Sequence, residues 1–459
     1  MSSGAASGPV STVPASTPTA IGGGEPAPVS PRPASPTGFR ARLAAFGRPP
    51  RVMGVDVARG LAVVGMIGAH VGAGGAELSW TDPSSWAALV HGRPSILFAL
   101  VAGVSLAFVS GGRTRLTGQA LEDARLRLAR RGLVVLLIGL ALEMLDTWVS
   151  VILPVYGVLF FLMIPFLGWS RRRLLVTAAG IGLLGPTVVA VVEALTFQPY
   201  GEGVSLLLTG AYPATTWVPL MLAGMALGRC DLTSRRLAAW LVVGGAALAG
   251  LGYGVGAVVD AAPAAEQAQQ AEAVPGDEVD LTGTVCLPQD GGAVYCQPDG
   301  SGEGDAGGDG TSSGYLATFR DNGGLSSVPA AAWSAQPHSG GTAEIVGSGG
   351  FALAVLGACL LLARPLRWLL LPVAAVGSMP LTAYSAHVVS LAVVLWPFAL
   401  VPGAVTDDGG VHAAVWPLSV VVLLVACTVW ALTLGRGPLE RLTARAGRPD
   451  PTVRSAPRG

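Results

Sequence analysis

Long apolar runs divided by short polar connections dominate this chain. Runs stand at about 53–72, 86–110, 132–149, 151–169, 174–196, 213–228, 237–259, 345–363, 379–400 and 413–434. Most reach or approach the roughly 20 residues that a helix needs to cross hydrocarbon. The pattern predicts an all-α fold, a polytopic transmembrane helix bundle of about ten spans. A shorter apolar segment, Trp368 to Val376, follows Arg364 and Arg367 and contains Pro372, so it reads as interfacial or re-entrant.

Polar residues inside these runs are few, and their spacing is informative. Asp56, Arg59, Val63, Met66 and His70 recur at intervals of three and four, which puts them on one stripe of the first helix. Charge in hydrocarbon is costly, so the stripe should face protein or a water-filled cavity. Asp56 and Arg59 are spaced to pair, and His70 falls roughly 21 Å further along the axis at about 1.5 Å per residue. The second run carries His91 at a depth similar to His70, then Arg93 and Pro94, where a kink or a freed carbonyl is expected. Ala99, Gly103 and Ala107 in the same run allow close helix contact. Each histidine serves equally as an interhelical hydrogen-bonding residue or as part of a site. Glu143 and Asp146 end the third run as a solvated rim or as orienting groups. Tyr384 and His387 are neighbours on a later helix, as donors lining a path or as interhelical ties. His338 and His412, in or beside connections, receive little weight.

Charge fixes an orientation. The chain of 459 residues is 12% charged, about half the soluble norm, and it contains no lysine. Alternate connections hold the arginines: Arg40 to Arg51, six between Arg113 and Arg131, Arg171 to Arg173, Arg229 to Arg236, Arg364 with Arg367, and Arg436 onward. The positive-inside rule places this set, and both termini, in the cytoplasm of a cell-membrane protein. Nothing in the composition suggests a nucleic-acid partner.

The division expected along the chain is a disordered tail over 1–50, a membrane region over 51–260, an acidic Gly/Ser-rich outer connection over 261–343, a second membrane region over 344–436, and a tail over 437–459. No internal repeat suggests paired transporter halves. The five cysteines show no CxxC pair and no metal-type spacing, so no metal is expected. Cys230, Cys359 and Cys427 read as packing residues. Cys286 and Cys296 share the outer connection with nine residues between them, where a disulfide is expected and two free thiols are the alternative.

The stretches "RVMGVDVARGLAVVGMIGAHV" and "HGRPSILFALVAGVSLAF" resemble the opening of bacterial relatives of heparan-α-glucosaminide N-acetyltransferase. "VGSMPLTAYSAHVV" and "GRGPLERLTAR" look like the C-terminal part of a related bacterial membrane-protein family. The resemblance implies a transmembrane acyltransferase that takes an acyl group, acetyl in the first instance, from cytoplasmic acyl-CoA. The acceptor would be an extracytoplasmic envelope glycan or glycolipid, with membrane lipid around the protein and homo-oligomers left open. Arg59, oriented by Asp56, would bind donor phosphate. His91, then His70, would be the base or acyl carrier. Arg93, Tyr384, His387, Glu143 and Asp146 would line the substrate path. The resembled enzyme carries its catalytic histidine just before the tryptophan that opens the second helix. This chain has "DPSSW" there, Asp82 to Trp86, which passes the role to His91 or His70, or to Asp82.

Two rivals share these features. A transporter or flippase of a small polar or lipid-linked solute would also need buried charge. A non-catalytic membrane partner could use the acidic connection for binding.

Overall fold

The computed structural model describes residues 38–49, 51–71, 92–147, 149–196, 204, 208, 210, 212–273, 284–288, 294–298, 315–321, 324–395 and 410–447. The helices in chain order begin with α1 (Phe39–Ala45), α2 (Met53–Val71), α3 (Arg93–Val109), α4 (Gly118–Glu143) and α5 (Leu153–Leu162). A 3₁₀ turn at Ile164–Gly168 leads to α6 (Arg171–Thr196), α7 (Ala214–Gly228) and α8 (Arg235–Ala273). After the connection come α9 (Tyr315–Asp321), α10 (Val328–Trp333), α11 (Thr342–Leu362), α12 (Arg367–Ser378), α13 (Pro380–Ser390), α14 (Gly410–Thr433) and α15 (Pro438–Ala446).

Each of the ten apolar runs contributes a helix, but the runs do not all become membrane-length helices. By length and composition, α6, Arg235–Ala261 of α8, α11 and Trp416–Thr433 of α14 can each cross a membrane. A fifth candidate is the pair Arg367–Ser378 and Pro380–Val393, bent by 78°. Helices α3, α5 and α7 are apolar but shorter. Gly92, with φ 68°, is the N-cap of α3. Pro94 then stands in its first turn, where no N–H is required, and the expected kink does not arise. Helix α5 gives way to the 3₁₀ turn around Pro165.

The surface has the inverted polarity of a lipid-facing protein. Val176, Leu183, Leu184 and Val188 of α6, Trp240, Val243, Leu251 and Val258 of α8, and Leu418, Val421, Val422 and Val425 of α14 are all exposed. In water such faces would be aggregation sites; in a bilayer they are the contact surface.

Glycines bring helices together. A Cβ at Gly103 of α3 would overlap the carbonyl oxygen of Met221 on α7, and one at Gly224 would overlap that of Leu100. This is the close contact expected from Gly103 and Ala107. Helix α12 crosses α2 in the same way, with Gly377 seated on the Asp56 backbone and Gly60 on that of Val373. Ala374, Ala375 and Val376 are fully buried there, so α12 is packed against the bundle.

The segments expected to be disordered begin and end differently. Helix α1 is tied down: Arg367 donates to the carbonyls of Leu43, Ala44 and Phe46 at 2.8–3.1 Å, and Arg42 donates to that of Thr433. These guanidinium groups satisfy the last carbonyls of α1 and α14, as cations at helix C-termini do. At the other end, Glu440 of α15 accepts from the backbone N–H groups of Leu381 and Thr382 at 2.8 and 3.1 Å. The free N–H groups at the start of α13 are thereby capped by a side chain from beyond 436. Residues 38–49 and 437–447 therefore belong to the folded unit. So does 328–341, where Ala332 is buried and the chain leads into α11.

In the connection after α8, Thr284–Pro288 and Val294–Pro298 form an antiparallel hairpin, β1 and β2, in which Cys286 and Cys296 are Cα partners. These are the strands among the described residues. Free cysteines at Cys359 and Cys427 are buried packing residues, as expected.

Candidate functional site

Contacts gather the polar connections into two groups. Arg113 pairs with Asp231, Arg115 donates to the Gly168 carbonyl, and Arg229 donates to those of Gly112 and Leu167. Residues of the 144–152 turn, Tyr212 before α7 and His338 meet around one cavity. Helix α2 carries Asp56 in its first turn and His70 in its last.

At the Arg-rich end, Asp56 is 7% exposed and sits between two guanidinium groups. Arg59 Nη1 lies 3.0 Å from its Oδ1 and Arg51 Nε 3.3 Å from its Oδ2. The pairing read from the spacing is therefore present. Arg59 Nη1 also donates to the Gly377 carbonyl at 2.9 Å, and Nη2 donates to Ser105 Oγ at 2.7 Å. Three helices thus hold this one side chain, through three of its five N–H groups. Arg131 of α4 and Glu440 of α15 lie within electrostatic reach of Arg59 and of each other.

At the opposite end, His70 Nδ1 lies 3.2 Å from His387 Nε2, and the two rings stack at 5.4 Å between centroids and 10° between planes. Tyr384, one turn before His387 on α13, sets its ring edge-on to His70 at 6.1 Å. The Tyr384 hydroxyl accepts from the Ile152 N–H at 3.4 Å. His387 and Tyr384 are 4% and 3% exposed, whereas His70 reaches a cavity of about 230 Å³. Its walls include Ser95, Ser150, Tyr212, His338 and Tyr384. Burial raises the Tyr212 phenol above its ordinary value, so it stays neutral and donates a hydrogen bond to the Ser150 carbonyl at 3.1 Å.

The structure thus joins His70 to Tyr384 and His387, more than three hundred positions further along the sequence. Other expected members lie elsewhere. Arg93 donates through Nε to the Tyr253 hydroxyl at 2.9 Å and stacks over that ring at 5.1 Å. It lines another cavity, of about 260 Å³, with Asp260, Glu344 and Ser348. Glu143 and Asp146 are exposed. Glu143 accepts from the Val151 backbone, and Asp146 takes φ 49° in the same turn, so the two shape the turn whose Val149, Ser150 and Ile152 reach the cavity. His91 and Asp82 lie outside the described residues, as do the side chains of Cys286, Cys296 and His412. The residues that sequence reasoning passed over are Tyr212, His338 and Arg131. The first two sit in irregular segments without a periodic signal, and Arg131 was read only as part of a charged connection.

No curated protein matches the chain. Residues 51–250, which span α2 to the first part of α8 and so contain Asp56, Arg59 and His70, match the family described as heparan-alpha-glucosaminide N-acetyltransferase, catalytic. The membrane region over 51–250 is thus similar to the catalytic part of this family.

Proposed function

We propose that the protein is an acyl-CoA-dependent membrane acyltransferase that moves an acetyl group to a sugar or glycolipid outside the cytoplasm. The observation that carries this reading is the layout of α2, which holds Arg59 among cations at one end and His70 on a cavity wall at the other. The arginine-bearing connections would face the cytoplasm of the cell membrane, with ten crossings and both termini inside. Arg59, with Arg131 and Arg51 nearby, would receive the phosphates of CoA, and Asp56 would hold Arg59 in place.

In the cavity His70 is the base. If its Nδ1–H donates to His387 Nε2, its own Nε2 is left unprotonated, the form a base requires. His387 then plays the orienting part. The acceptor's O or N forms a bond to the acyl carbon, its proton passes to His70, the C–S bond breaks, and the proton is returned to the departing thiolate. His91 remains a candidate for the same task. A cavity of about 230 Å³ lies below the roughly 300–1,000 Å³ of pockets that enclose drug-sized ligands, and so favours an acceptor group of sugar-ring size.

The test is incubation of the purified full chain with labelled acetyl-CoA and a panel of envelope sugars and glycolipids. A labelled product supports the reading. Movement of solute across proteoliposomes without any acetylated product would replace it with the transport alternative.

A further inference from the structure

His338 is one of two described non-glycine residues with positive φ, at 64°. A left-handed backbone is unfavourable for a bulky residue, and it persists only where the surroundings impose it. Here the surroundings are Glu344. This carboxylate, in the first turn of α11, is 2% exposed. It accepts from the N–H groups of His338 and Gly340, each at 2.8 Å, and from Ser339 Oγ at 3.3 Å. Its own N–H donates to the Ser334 carbonyl at 3.1 Å, which closes the segment on itself.

A buried carboxylate at the head of an apolar helix is expensive, and in this place it holds the three-residue turn His338–Gly340. The side chain delivered by that segment is an imidazole. Its ring stands edge-on to Tyr212 at 5.7 Å and lines the same cavity as His70 and Tyr384. A glycine at 338 would give the same backbone without strain, so the backbone conformation does not itself call for histidine.

We infer that His338 is an acceptor-binding residue of the His70 cavity and that Glu344 is its positioning residue. The inference rests on the acyl-transfer reading only for the identity of the acceptor, a sugar hydroxyl or amine. His338 hydrogen-bonds a polar group of that acceptor while His70 takes the reacting proton.

The test uses the full chain in lipid nanodiscs, with hexoses and hexosamines as probes. It measures direct probe binding, acceptor KM, transfer rate and CoA affinity. His338→Gly removes the ring and keeps the backbone available. Loss of one good hydrogen bond should weaken acceptor binding, and raise acceptor KM, about tenfold with CoA affinity unchanged. Glu344→Gln, which keeps an acceptor atom but loses the charge, should shift acceptor KM in the same direction by a smaller factor and leave CoA affinity alone. Normal acceptor binding and KM in folded His338→Gly would overturn the inference and leave acyl transfer standing. If the wild type binds a probe but transfers nothing, the acyl-transfer reading fails, and weakened binding in His338→Gly still supports the inference. If it neither binds nor transfers, both fall.

Discussion

The two ends of α2 use their polar side chains in opposite ways. At the Arg-rich end, Asp56 and Arg59 are held by Arg51, Ser105 and the Gly377 carbonyl, and the groups that would meet a ligand also tie three helices together. At the other end, His70 shares one nitrogen with His387 and still reaches open space. A stripe of one periodicity therefore divides into a part where stability and binding are coupled and a part where they are separable. That difference predicts distinct mutational signatures.

The largest effect belongs to the separable end. His70→Ala should lower transfer by about 10²–10⁴-fold, the usual contribution of a general base, with CoA affinity and thermal stability nearly intact. His91→Ala, compared beside it, decides which imidazole is the base. Full transfer in His70→Ala would remove it from the chemistry and reduce the two ends to structural ties of the same kind.

At the coupled end the signature is mixed. Arg59→Ala leaves Asp56 with Arg51 alone. Breaking a buried pair costs about 3–5 kcal/mol, and the surviving contact at 3.3 Å holds the loss toward the lower figure. CoA affinity should fall ten- to a hundredfold in whatever folds, since a charge-assisted contact of about 1.5–3 kcal/mol is lost. Thermal unfolding and CoA binding measured on the same preparation check this. Unchanged CoA affinity would leave Arg59 a purely structural residue.

A smaller effect isolates the structural half of that coupling. Gly377→Ala would press a methyl group into the Asp56 backbone and separate α12 from α2. Overpacking of this kind costs typically about 1–3 kcal/mol. Gly244→Ala in α8, where a Cβ meets no atom within 4 Å, should instead stabilise by up to about 1 kcal/mol through helix propensity. Equal melting temperatures for the two variants would mean that the α2–α12 crossing does not bear on stability.

How much of this was legible in the sequence follows from range. The Asp56–Arg59 pair and the buried face at Val63 and Met66 come from a 3.6-residue period, and the structure has them. Tyr384 and His387 were visible as polar residues in an apolar run, but their meeting with His70 depends on the 78° bend between α12 and α13. His338 carries little weight in the sequence because its place in the cavity depends on Glu344, whose carboxylate reaches back to backbone groups in an irregular segment. Arg-rich connections indicated an orientation, yet the same arginines also cap α1 and α14, a duty that composition does not reveal. The apolar run over 151–169 exceeds its helix because the 3₁₀ turn around Pro165 follows α5.

The smallest effect tests whether the cavity end belongs to the bundle or to the connection beyond it. Cys286 and Cys296 are Cα partners in the β1–β2 hairpin. Directly opposed residues of antiparallel strands have Cα atoms about 4.5–5.5 Å apart, within the roughly 4.4–6.8 Å range that disulfides span. In an oxidising compartment the pair should be bridged, and non-reduced peptide mapping should recover the two cysteines in one linked fragment. Closing a loop this short constrains the unfolded connection by about 2.5–3 kcal/mol in the chain-entropy model. That stabilisation is local to the hairpin. It is separated from α11 by the long Gly/Ser-rich stretch from Asp299 to Gly314. Cys286→Ser should therefore leave the bundle's stability within the ±0.5 kcal/mol or so of an ordinary surface change, and the transfer rate unaltered. Recovery of both thiols free from oxidised protein would refute the bridge. A fall in transfer rate with Cys286→Ser would extend the cavity end outward into the connection, and the contrast between the ends of α2 would then have to include a folded outer element.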